Sequence, residues 1–282
     1  MSAREATVLE RIVAETRVEV ARRKLQAPLA RASREAAGHA SSSLDGGEAA
    51  RGERRSLRDA LGAPGIGVIA EFKRRSPSAG ELRPGAEVRE LARAYERGGA
   101  VALSVLTERA NFDGSLADLS VAREACRLPL LRKDFIVDRY QLHEALLAGA
   151  DAVLLIVAAL SQADLRALHG EATGIGLDVL VEVHDHEELE RALGAGAALV
   201  GINNRDLRDF SVDVERTFQL LDAVPDGVGV VSESGIADAG LMRRLDDAGV
   251  QGALVGELLM RASDPQATLS GLISFRSAQQ PL

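Results

Sequence analysis

Two lysines at the ends of apolar runs are the residues of this 282-residue chain best suited to acid–base chemistry. Lys73 follows the run 66–72, Lys133 follows the run 128–132, and both runs have the composition of a buried strand. The chain has 31 arginines but only three lysines, the third being Lys24. Arginine stays charged in proteins, whereas lysine can release and recover a proton. The choice of lysine at two strand ends therefore indicates proton transfer.

Glu71 accompanies Lys73 on the first of these strands. Because side chains alternate across a strand, Glu71 and Lys73 share a face with Ile69. Burying a carboxylate and an ammonium is costly unless the two are paired or used. Taken alone, the stretch is better explained as a strand that ends in a solvated loop, since perturbed charges also arise in purely structural ion pairs. The rest of the chain reverses this preference.

Composition excludes several classes of protein. The net charge of −8 and the pI near 5.3 argue against a nucleic-acid surface. Cys126 is the only cysteine, which rules out an internal disulfide and a cysteine-based metal cluster and is typical of a small buried apolar residue. No segment approaches the ~20 apolar residues of a membrane helix, and the N-terminus has charged residues where a secretory signal would be apolar. We therefore expect a cytoplasmic protein.

Elements that could position the two lysines follow a regular order after Gly65. Eight strand-like runs are predicted at 66–72, 100–106, 128–132, 151–157, 177–183, 198–202, 227–232 and 250–255. They alternate with helical stretches near 85–98, 115–126, 138–148, 161–173, 185–195, 213–222, 237–247 and 264–275. This order is typical of a parallel sheet with crossover helices.

An internal repeat supports the count of eight strands. Glycines that end a helix and precede a strand recur about every two βα units, at Gly99, Gly149, Gly196 and Gly249. Four copies of a double unit favour a closed α/β barrel, a (β/α)8 TIM barrel, over an open doubly wound sheet, which would carry G-x-G-x-x-G after its first strand. We expect the barrel to occupy residues 57–282.

Residues 1–56 are predicted to form an N-terminal extension. An amphipathic helix at 7–24 would cover an apolar surface of the barrel. The stretch 31–55 is rich in Ala, Ser, Gly, Glu and Arg and is predicted to be a mobile linker or a poorly ordered insertion. A short helix is expected at 56–61.

Polar residues cluster at the predicted carboxyl ends of the strands, where barrels of this class place their active sites. They are Glu71, Lys73, Lys133, Glu182, Asn203, Arg205, the run Ser232-Glu233-Ser234-Gly235, and Gly256-Glu257. Any one of them could be a helix cap or a loop residue, and for Asn203 or Ser234 alone that interpretation is the stronger one. Convergence from several strands indicates a site, and lysine–glutamate pairs suit proton transfer around a carbonyl.

The last two strand ends predict a phosphate site. Ser234-Gly235 and Gly256-Glu257 each combine a glycine with the start of a helix, where backbone N–H groups attract anions. Glu257 would contribute its backbone N–H and turn its side chain away. His143, His169, His184 and His186 do not form a plausible metal cluster, and there is no G-x-S-x-G elbow for a serine nucleophile.

The chain closely resembles the indole-3-glycerol-phosphate synthase family over residues 7–27 and 57–273. The motifs that carry the resemblance are Ala70-Glu71-Phe72-Lys73-Arg74-Arg75-Ser76-Pro77-Ser78, Leu106-Thr107-Glu108, Phe112-Asp113-Gly114-Ser115, Lys133-Asp134-Phe135-Ile136, Glu182-Val183-His184, Gly201-Ile202-Asn203-Asn204-Arg205-Asp206-Leu207, Ser232-Glu233-Ser234-Gly235-Ile236 and Gly256-Glu257. They occur in the family's order.

The resemblance implies ring closure of 1-(2-carboxyphenylamino)-1-deoxyribulose 5-phosphate to indole-3-glycerol phosphate in tryptophan biosynthesis, with loss of CO2 and water and with no cofactor or metal. It implies that Lys133 is the general acid, that Glu182 stabilises the cationic intermediate and assists proton removal, and that Lys73 binds the substrate carboxylate or protonates the leaving hydroxyl beside Glu71. Asn203 joins this catalytic set. The implied substrate-binding residues are Ser76, Pro77, Phe112, Arg205, Leu207 and Ser234, and the implied phosphate-binding residues are Ser234, Gly235, Gly256 and Glu257.

The sequence departs from the family pattern at two site positions. Ala79 stands in the first loop where lysine is common, which could weaken attraction of the phosphate, and Leu258 stands where serine is frequent. A non-catalytic partner subunit and a paralogue acting on a modified anthranilate are the alternative functions. We expect a small phosphorylated substrate, no nucleic-acid or membrane partner, and a monomer or weak homodimer.

Overall fold

Eight parallel strands form the centre of the computed structural model, which describes residues 6–27, 55–206 and 210–275. In chain order the strands are β1 (Gly67–Phe72), β2 (Ala102–Leu106), β3 (Leu130–Lys133), β4 (Ala152–Ile156), β5 (Asp178–Val183), β6 (Leu199–Asn203), β7 (Gly229–Glu233) and β8 (Gly252–Val255). Each pairs with the next, and β1 also pairs with β8, so the sheet is closed. The predicted (β/α)8 barrel is confirmed, and the open doubly wound sheet is wrong.

Helices follow the strands as expected. In chain order they are α1 (Val8–Gln26), α2 (Leu57–Leu61), α3 (Val88–Gly98), α4 (Leu116–Ala125), α5 (Arg139–Leu147), α6 (Gln162–Gly174), α7 (His186–Gly194), α8 (Glu215–Leu221), α9 (Ala239–Asp247), α10 (Glu257–Arg261) and α11 (Pro265–Leu272). The predicted boundaries differ from these by a few residues. Three short elements were not predicted: α10, the 3-10 turn Val157–Ala159, and the two-stranded ribbon of Arg75–Ser76 with Gly80–Glu81.

Local sequence explains where these elements begin and end. Ser115, Asp138, Ser161, Asp185, Asp238 and Asp264 cap the helices that follow them by accepting a backbone hydrogen bond. The four repeat glycines Gly99, Gly149, Gly196 and Gly249 have φ values of 93°, 91°, 90° and 84°, a region that favours glycine. Each αβ turn of the repeat is therefore encoded by one residue.

Helix α1 packs on the barrel, as the amphipathic pattern predicted. Thr7 and Glu10 form a capping box at its start, and Ile12 and Val20 are buried. Arg23 binds Glu144 of α5 at 2.7 Å, and Lys24 binds Asp138 at 2.8 Å. Most of the predicted linker 31–55 lies outside the described residues.

The barrel interior follows the alternation of side chains along each strand. Ile69, Leu131, Leu180, Val231 and Leu254 belong to one inner apolar cluster. Residues two positions further along a strand therefore point to the same interior, at its carboxyl-terminal end. None of the helices within the described ranges combines the length and the apolar character needed to cross a membrane.

Candidate active site

A cavity of about 460 Å³ opens at the carboxyl ends of the strands. It is lined by nearly all the side chains predicted for the site: Glu71, Lys73, Ser76, Pro77, Phe112, Lys133, Glu182, Asn203, Arg205, Ser234, Gly235, Gly256 and Glu257. Leu207, the remaining predicted contact, lies outside the described residues. Closure of the barrel brings these positions together, since each strand contributes its end to one rim.

Lys133 lines the cavity between two glutamate side chains. Its Nζ is 3.3 Å from Glu182 Oε2 and 3.4 Å from Glu233 Oε2, and its side chain is 15% exposed. Burial lowers the pKa of Lys133, but the charges of Glu182, Glu233 and Glu71 outweigh this effect and raise the pKa above its ordinary value. Lys133 is therefore an ammonium group at neutral pH, and it lines the cavity.

Glu182 is surrounded by donors. Besides Lys133, its Oε1 accepts a hydrogen bond of 3.1 Å from Asn203 Nδ2, and His184 Nε2 lies 3.6 Å from the same oxygen. Burial raises the pKa of Glu182, but Lys133, His184 and the Asn203 hydrogen bond lower it by a larger amount, so the net shift of the pKa is downward. Glu182 is held as a carboxylate.

Asn203 also links Glu182 to the end of β7. Its Oδ1 accepts hydrogen bonds from Ser234 Oγ at 2.9 Å and from the backbone N–H of Arg205 at 3.0 Å. These two bonds orient the amide so that its Nδ2 faces Glu182. Ser234 itself has a φ of 67°, a conformation that is uncommon for residues other than glycine and that recurs at functional sites.

Glu71 and Lys73 form an ion pair at the end of β1, on the face predicted from alternation. The side chain of Glu71 is 4% exposed and that of Lys73 is 19% exposed. Gly256 lies against this pair, because a Cβ there would overlap Glu71 Oε1 and stand 3.0 Å from Lys73 Nζ. The pair thus occupies space that any larger residue at position 256 would take.

Glu233 is a site residue that sequence reasoning placed at a strand end but left out of the catalytic set. Its side chain is 2% exposed, and Oε1 has no hydrogen-bond partner among the described residues. Burial raises the pKa of Glu233 to about 8, with Glu182 and Glu71 adding to the shift and Lys133 opposing it. The signal that could have identified Glu233 is its position two residues after the inward-facing Val231.

One wall of the cavity is apolar. The rings of Phe112 and Phe135 lie 6.2 Å apart between centroids, and Pro77 lines the same cavity. Helix α1 adds Val8, Leu9 and Ile12. Phe135 and the three α1 residues were not predicted as part of the site. This wall can accept a flat apolar group.

Polar groups from the ends of β6, β7 and β8 lie elsewhere on the cavity wall. Ser234, Gly235, Gly256 and Arg205 are joined there by Arg261 of α10, which was not predicted. Glu257 pairs with Arg261 Nε at 3.0 Å and has an oxygen 3.9 Å from Arg205 Nη2. The Arg261 Nη2 atom also lies 3.5 Å from the carbonyl oxygen of Ala79, so a cation from α10 reaches the loop position where lysine is absent.

Among residues 6–27, 55–206 and 210–275, no group of three or more His, Cys, Asp or Glu side chains is arranged to hold a metal ion. What the cavity presents instead is a set of proton donors and acceptors: two ammonium groups, five carboxyl groups and one amide. One ammonium lies between two of the carboxyl groups, so a proton can be given and taken at neighbouring points.

Known proteins resemble this chain over most of its length. The family model for indole-3-glycerol phosphate synthase matches residues 9–272. Indole-3-glycerol phosphate synthase 2 of Streptomyces coelicolor is 54% identical over 219 residues, covering 78% of this chain and 85% of the relative. The indole-3-glycerol phosphate synthase of Mycolicibacterium gilvum is 45% identical over 269 residues, covering 95% of this chain and 94% of the relative.

Solved structures show the same fold at lower identity. Thiamine phosphate pyrophosphorylase from Pyrococcus furiosus superposes with a TM-score of 0.58 at 20% identity, covering 79% of this chain and 98% of the other. This likeness concerns the barrel alone. The match of the family model over nearly the whole chain, together with the two relatives, shows that the chain belongs to the indole-3-glycerol phosphate synthase family of carboxy-lyases.

Proposed function

We propose that the chain catalyses the ring closure of 1-(2-carboxyphenylamino)-1-deoxyribulose 5-phosphate to indole-3-glycerol phosphate, in tryptophan biosynthesis. The observation that carries this proposal is Lys133, an ammonium held between Glu182 and Glu233 beside an apolar wall. The reaction needs a proton at a ketone oxygen next to a flat ring, and this arrangement supplies both requirements.

In the first step, Lys133 gives its proton to the ketone oxygen while the ring carbon that carries the carboxylate attacks the carbonyl carbon. The new carbon–carbon bond leaves a cationic ring system, which the carboxylate of Glu182 stabilises at close range. The substrate carboxylate then leaves as CO2, and its electron pair restores the aromatic ring. Lys73 binds that carboxylate before it leaves, with Glu71 as its partner.

In the second step the hydroxyl formed from the ketone leaves as water. A proton is lost from the carbon of the new five-membered ring that lies between the nitrogen and the hydroxyl-bearing carbon. A group must protonate the hydroxyl while a carboxylate removes the ring proton. Lys73 and Lys133 are the candidate acids, and Glu71 and Glu182 are the candidate bases. Glu233, with a pKa of about 8, carries a proton at neutral pH and adds a third candidate acid.

Substrate binding divides between the two parts of the cavity. Phe112 and Pro77 contact the anthranilate ring, and Asn203 and Arg205 hold the carboxylate and the sugar hydroxyls. Ser234, Gly235 and Gly256 bind the phosphate, largely through backbone N–H groups, with Glu257 contributing its own N–H. Ser76 lines the site, although its Oγ also accepts a hydrogen bond from the backbone of Ala79 at 3.1 Å. The monomeric or weakly dimeric state and the cytoplasmic location stay predictions.

The first experiment is release of CO2 from the carboxyphenylamino substrate by the purified protein. We expect stoichiometric CO2 and the appearance of indole fluorescence. Absence of both products would overturn the proposed activity and leave a non-catalytic role for the barrel.

The second experiment replaces Lys133 by arginine, which keeps the charge but not the ability to donate a proton. We expect Lys133→Arg to lower kcat by at least ~100-fold, the scale of general acid catalysis. Lys24→Arg is the matched control, because Lys24 makes a peripheral ion pair with Asp138 that arginine can retain. Near-normal turnover of Lys133→Arg would remove Lys133 from this role.

A further inference from the structure

His184 lies beside Glu182, with its Nε2 atom 3.6 Å from Glu182 Oε1. It follows β5 two residues after Glu182, its side chain is 13% exposed, and it is absent from the residues that line the cavity. Its direct contact with the site is through Glu182. A residue placed in this way can act on the reaction by changing the charge or orientation of Glu182.

Glu188 fixes one side of the His184 ring. The Nδ1 atom lies 3.0 Å from Glu188 Oε2, and the backbone N–H of His184 donates to the same oxygen at 2.8 Å. An ionised carboxylate only accepts hydrogen bonds, so Nδ1 carries a proton. Glu188 lies in the first turn of α7, which Asp185 caps.

The other ring nitrogen faces Glu182. Nε2 is buried, has no hydrogen-bond partner within the described part of the chain, and lies 3.6 Å from Glu182 Oε1. Without a proton, the buried Nε2 would direct a lone pair at a carboxylate oxygen, which is repulsive. With a proton, both ring nitrogens face carboxylates as donors, and the ring is an imidazolium.

We propose that His184 is a positioning residue, an imidazolium clamped between Glu188 and Glu182 that keeps Glu182 ionised and aimed at Lys133. The proposal deepens the function proposed above and rests on it. It explains why the pKa values of the two carboxyl groups beside Lys133 shift in opposite directions. Glu182 has Lys133, Asn203 and His184 as neighbours, whereas the side chain of Glu233 has Lys133 as its one polar partner among the residues that the structure describes.

The charges around the ring agree with this assignment. Burial lowers the pKa of His184, but the hydrogen bond to Glu188 and the charges of Glu182, Glu188 and Glu233 outweigh burial and raise the pKa above 6.5. These acids come from β5, α7 and β7. Lys133 of β3 contacts the other carboxylate oxygen of Glu182, Oε2, at 3.3 Å.

The first test is an NMR titration of the ring nitrogens in the unliganded 15N-labelled protein, with the His184 signals assigned by their loss in His184→Gln. We expect both nitrogens to be protonated at neutral pH and the midpoint to lie above 6.5. Glu188→Gln should lower that midpoint by about one pH unit, the smaller end of the effect of a neighbouring charge. A His184 ring that is neutral at pH 7 would overturn the proposal.

The second test is the pH dependence of kcat for His184→Gln. Loss of the imidazolium raises the pKa of Glu182, so the acidic limb of the profile should move to higher pH by about one unit, with kcat about tenfold lower at a given pH on that limb and little change in KM. His169→Gln, on α6 and away from the cavity, is the matched control.

An unchanged profile for His184→Gln would overturn the positioning role. If His184→Gln fails to fold, Glu188→Gln gives the same readout with a smaller expected shift, and an unshifted profile there has the same meaning. Failure of the proposed function would show differently, as an absence of CO2 release by the wild-type protein, while the NMR titration would still decide the charge of His184.

Discussion

At the scale of residues, the cavity contains two similar acids, Glu182 and Glu233, whose ionisation differs. Glu182 and Glu233 have side chains that are each 2% exposed, and each lies within 3.4 Å of Lys133. Like charges this close do not ionise independently, and the acid with more donors loses its proton first. The charges of Lys133 and His184 and the hydrogen bond from Asn203 lower the pKa of Glu182, which leaves the proton on Glu233. One ammonium, one carboxylate and one carboxylic acid therefore coexist at neutral pH.

The raised pKa of Glu233 predicts how the stability of the protein depends on pH. The folded-state pKa of about 8 lies above the ordinary value of 4.5, so between these values the folded protein holds a proton that the unfolded chain has lost. The stability contributed by the protonated form is present below pH 4.5 and is lost as pH rises towards 8. We expect Glu233→Gln to remove this loss of stability. The melting temperature of the variant relative to that of the wild type should therefore increase as pH rises.

Thermal melts across this pH range measure the difference. Glu187→Gln, on the exposed surface of α7, is the control and should follow the wild-type curve. Parallel curves for Glu233→Gln and the wild type would show that Glu233 is ionised throughout the range.

At the scale of elements, the strand ends position the candidate catalytic side chains, and small residues between them leave room for those side chains. Gly256 follows β8 and has a φ of −117°, which other residues also adopt. Its lack of a Cβ matters because Glu71 and Lys73 occupy that space. The ion pair of β1 is thus shaped by a residue from the last strand of the barrel.

Gly256→Ala should therefore displace the Glu71–Lys73 pair without straining the backbone. We expect kcat to fall by about 100-fold, as for other misplacements near 1 Å, and the fold to persist. Steady-state kinetics with circular dichroism would measure both effects.

Gly170→Ala is the matched control for the same chemical change. Gly170 is exposed within α6 and nothing lies within 4 Å of a Cβ there, so alanine should raise stability by about 0.5–1 kcal/mol through its helix preference and leave kcat unchanged. Equal activity of the two alanine variants would show that the pair tolerates a shift.

At the scale of the whole molecule, the barrel and α1 together form the site. Ile12 is 4% exposed and shares an apolar cluster with Phe135 and Leu154, while Arg23 and Lys24 anchor the far end of the helix to α5 and its cap. The apolar wall of the cavity is therefore completed by a segment far from the barrel strands in sequence.

A charge at Ile12 should separate these two parts. Ile12→Asp buries an unpaired carboxylate, which costs several kcal/mol, so α1 should leave the cavity. We expect kcat/KM to fall by at least about tenfold while the barrel stays folded. Val18→Asp, on the same helix but 72% exposed, should behave as wild type. Unchanged kcat/KM in Ile12→Asp would show that α1 does not contribute to the site.

The sequence by itself determined the barrel and most of the rim. Apolar runs, capping residues and the repeat glycines are local signals, and alternation along a strand places Glu71 and Lys73 on one face without knowledge of any partner. Because parallel strands in a barrel end at one rim, Lys133, Glu182 and Asn203 could be assigned to the same site from their positions alone.

Only the tertiary structure decided the ionisation states and the boundary of the cavity. The difference between Glu182 and Glu233 depends on Asn203 and His184 and on how far water is excluded, and these are properties of the assembled barrel. The wall contributed by α1 and the reach of Arg261 to the first loop likewise depend on contacts between distant parts of the chain. Electrostatic energy follows distance and burial in space, which sequence spacing does not report.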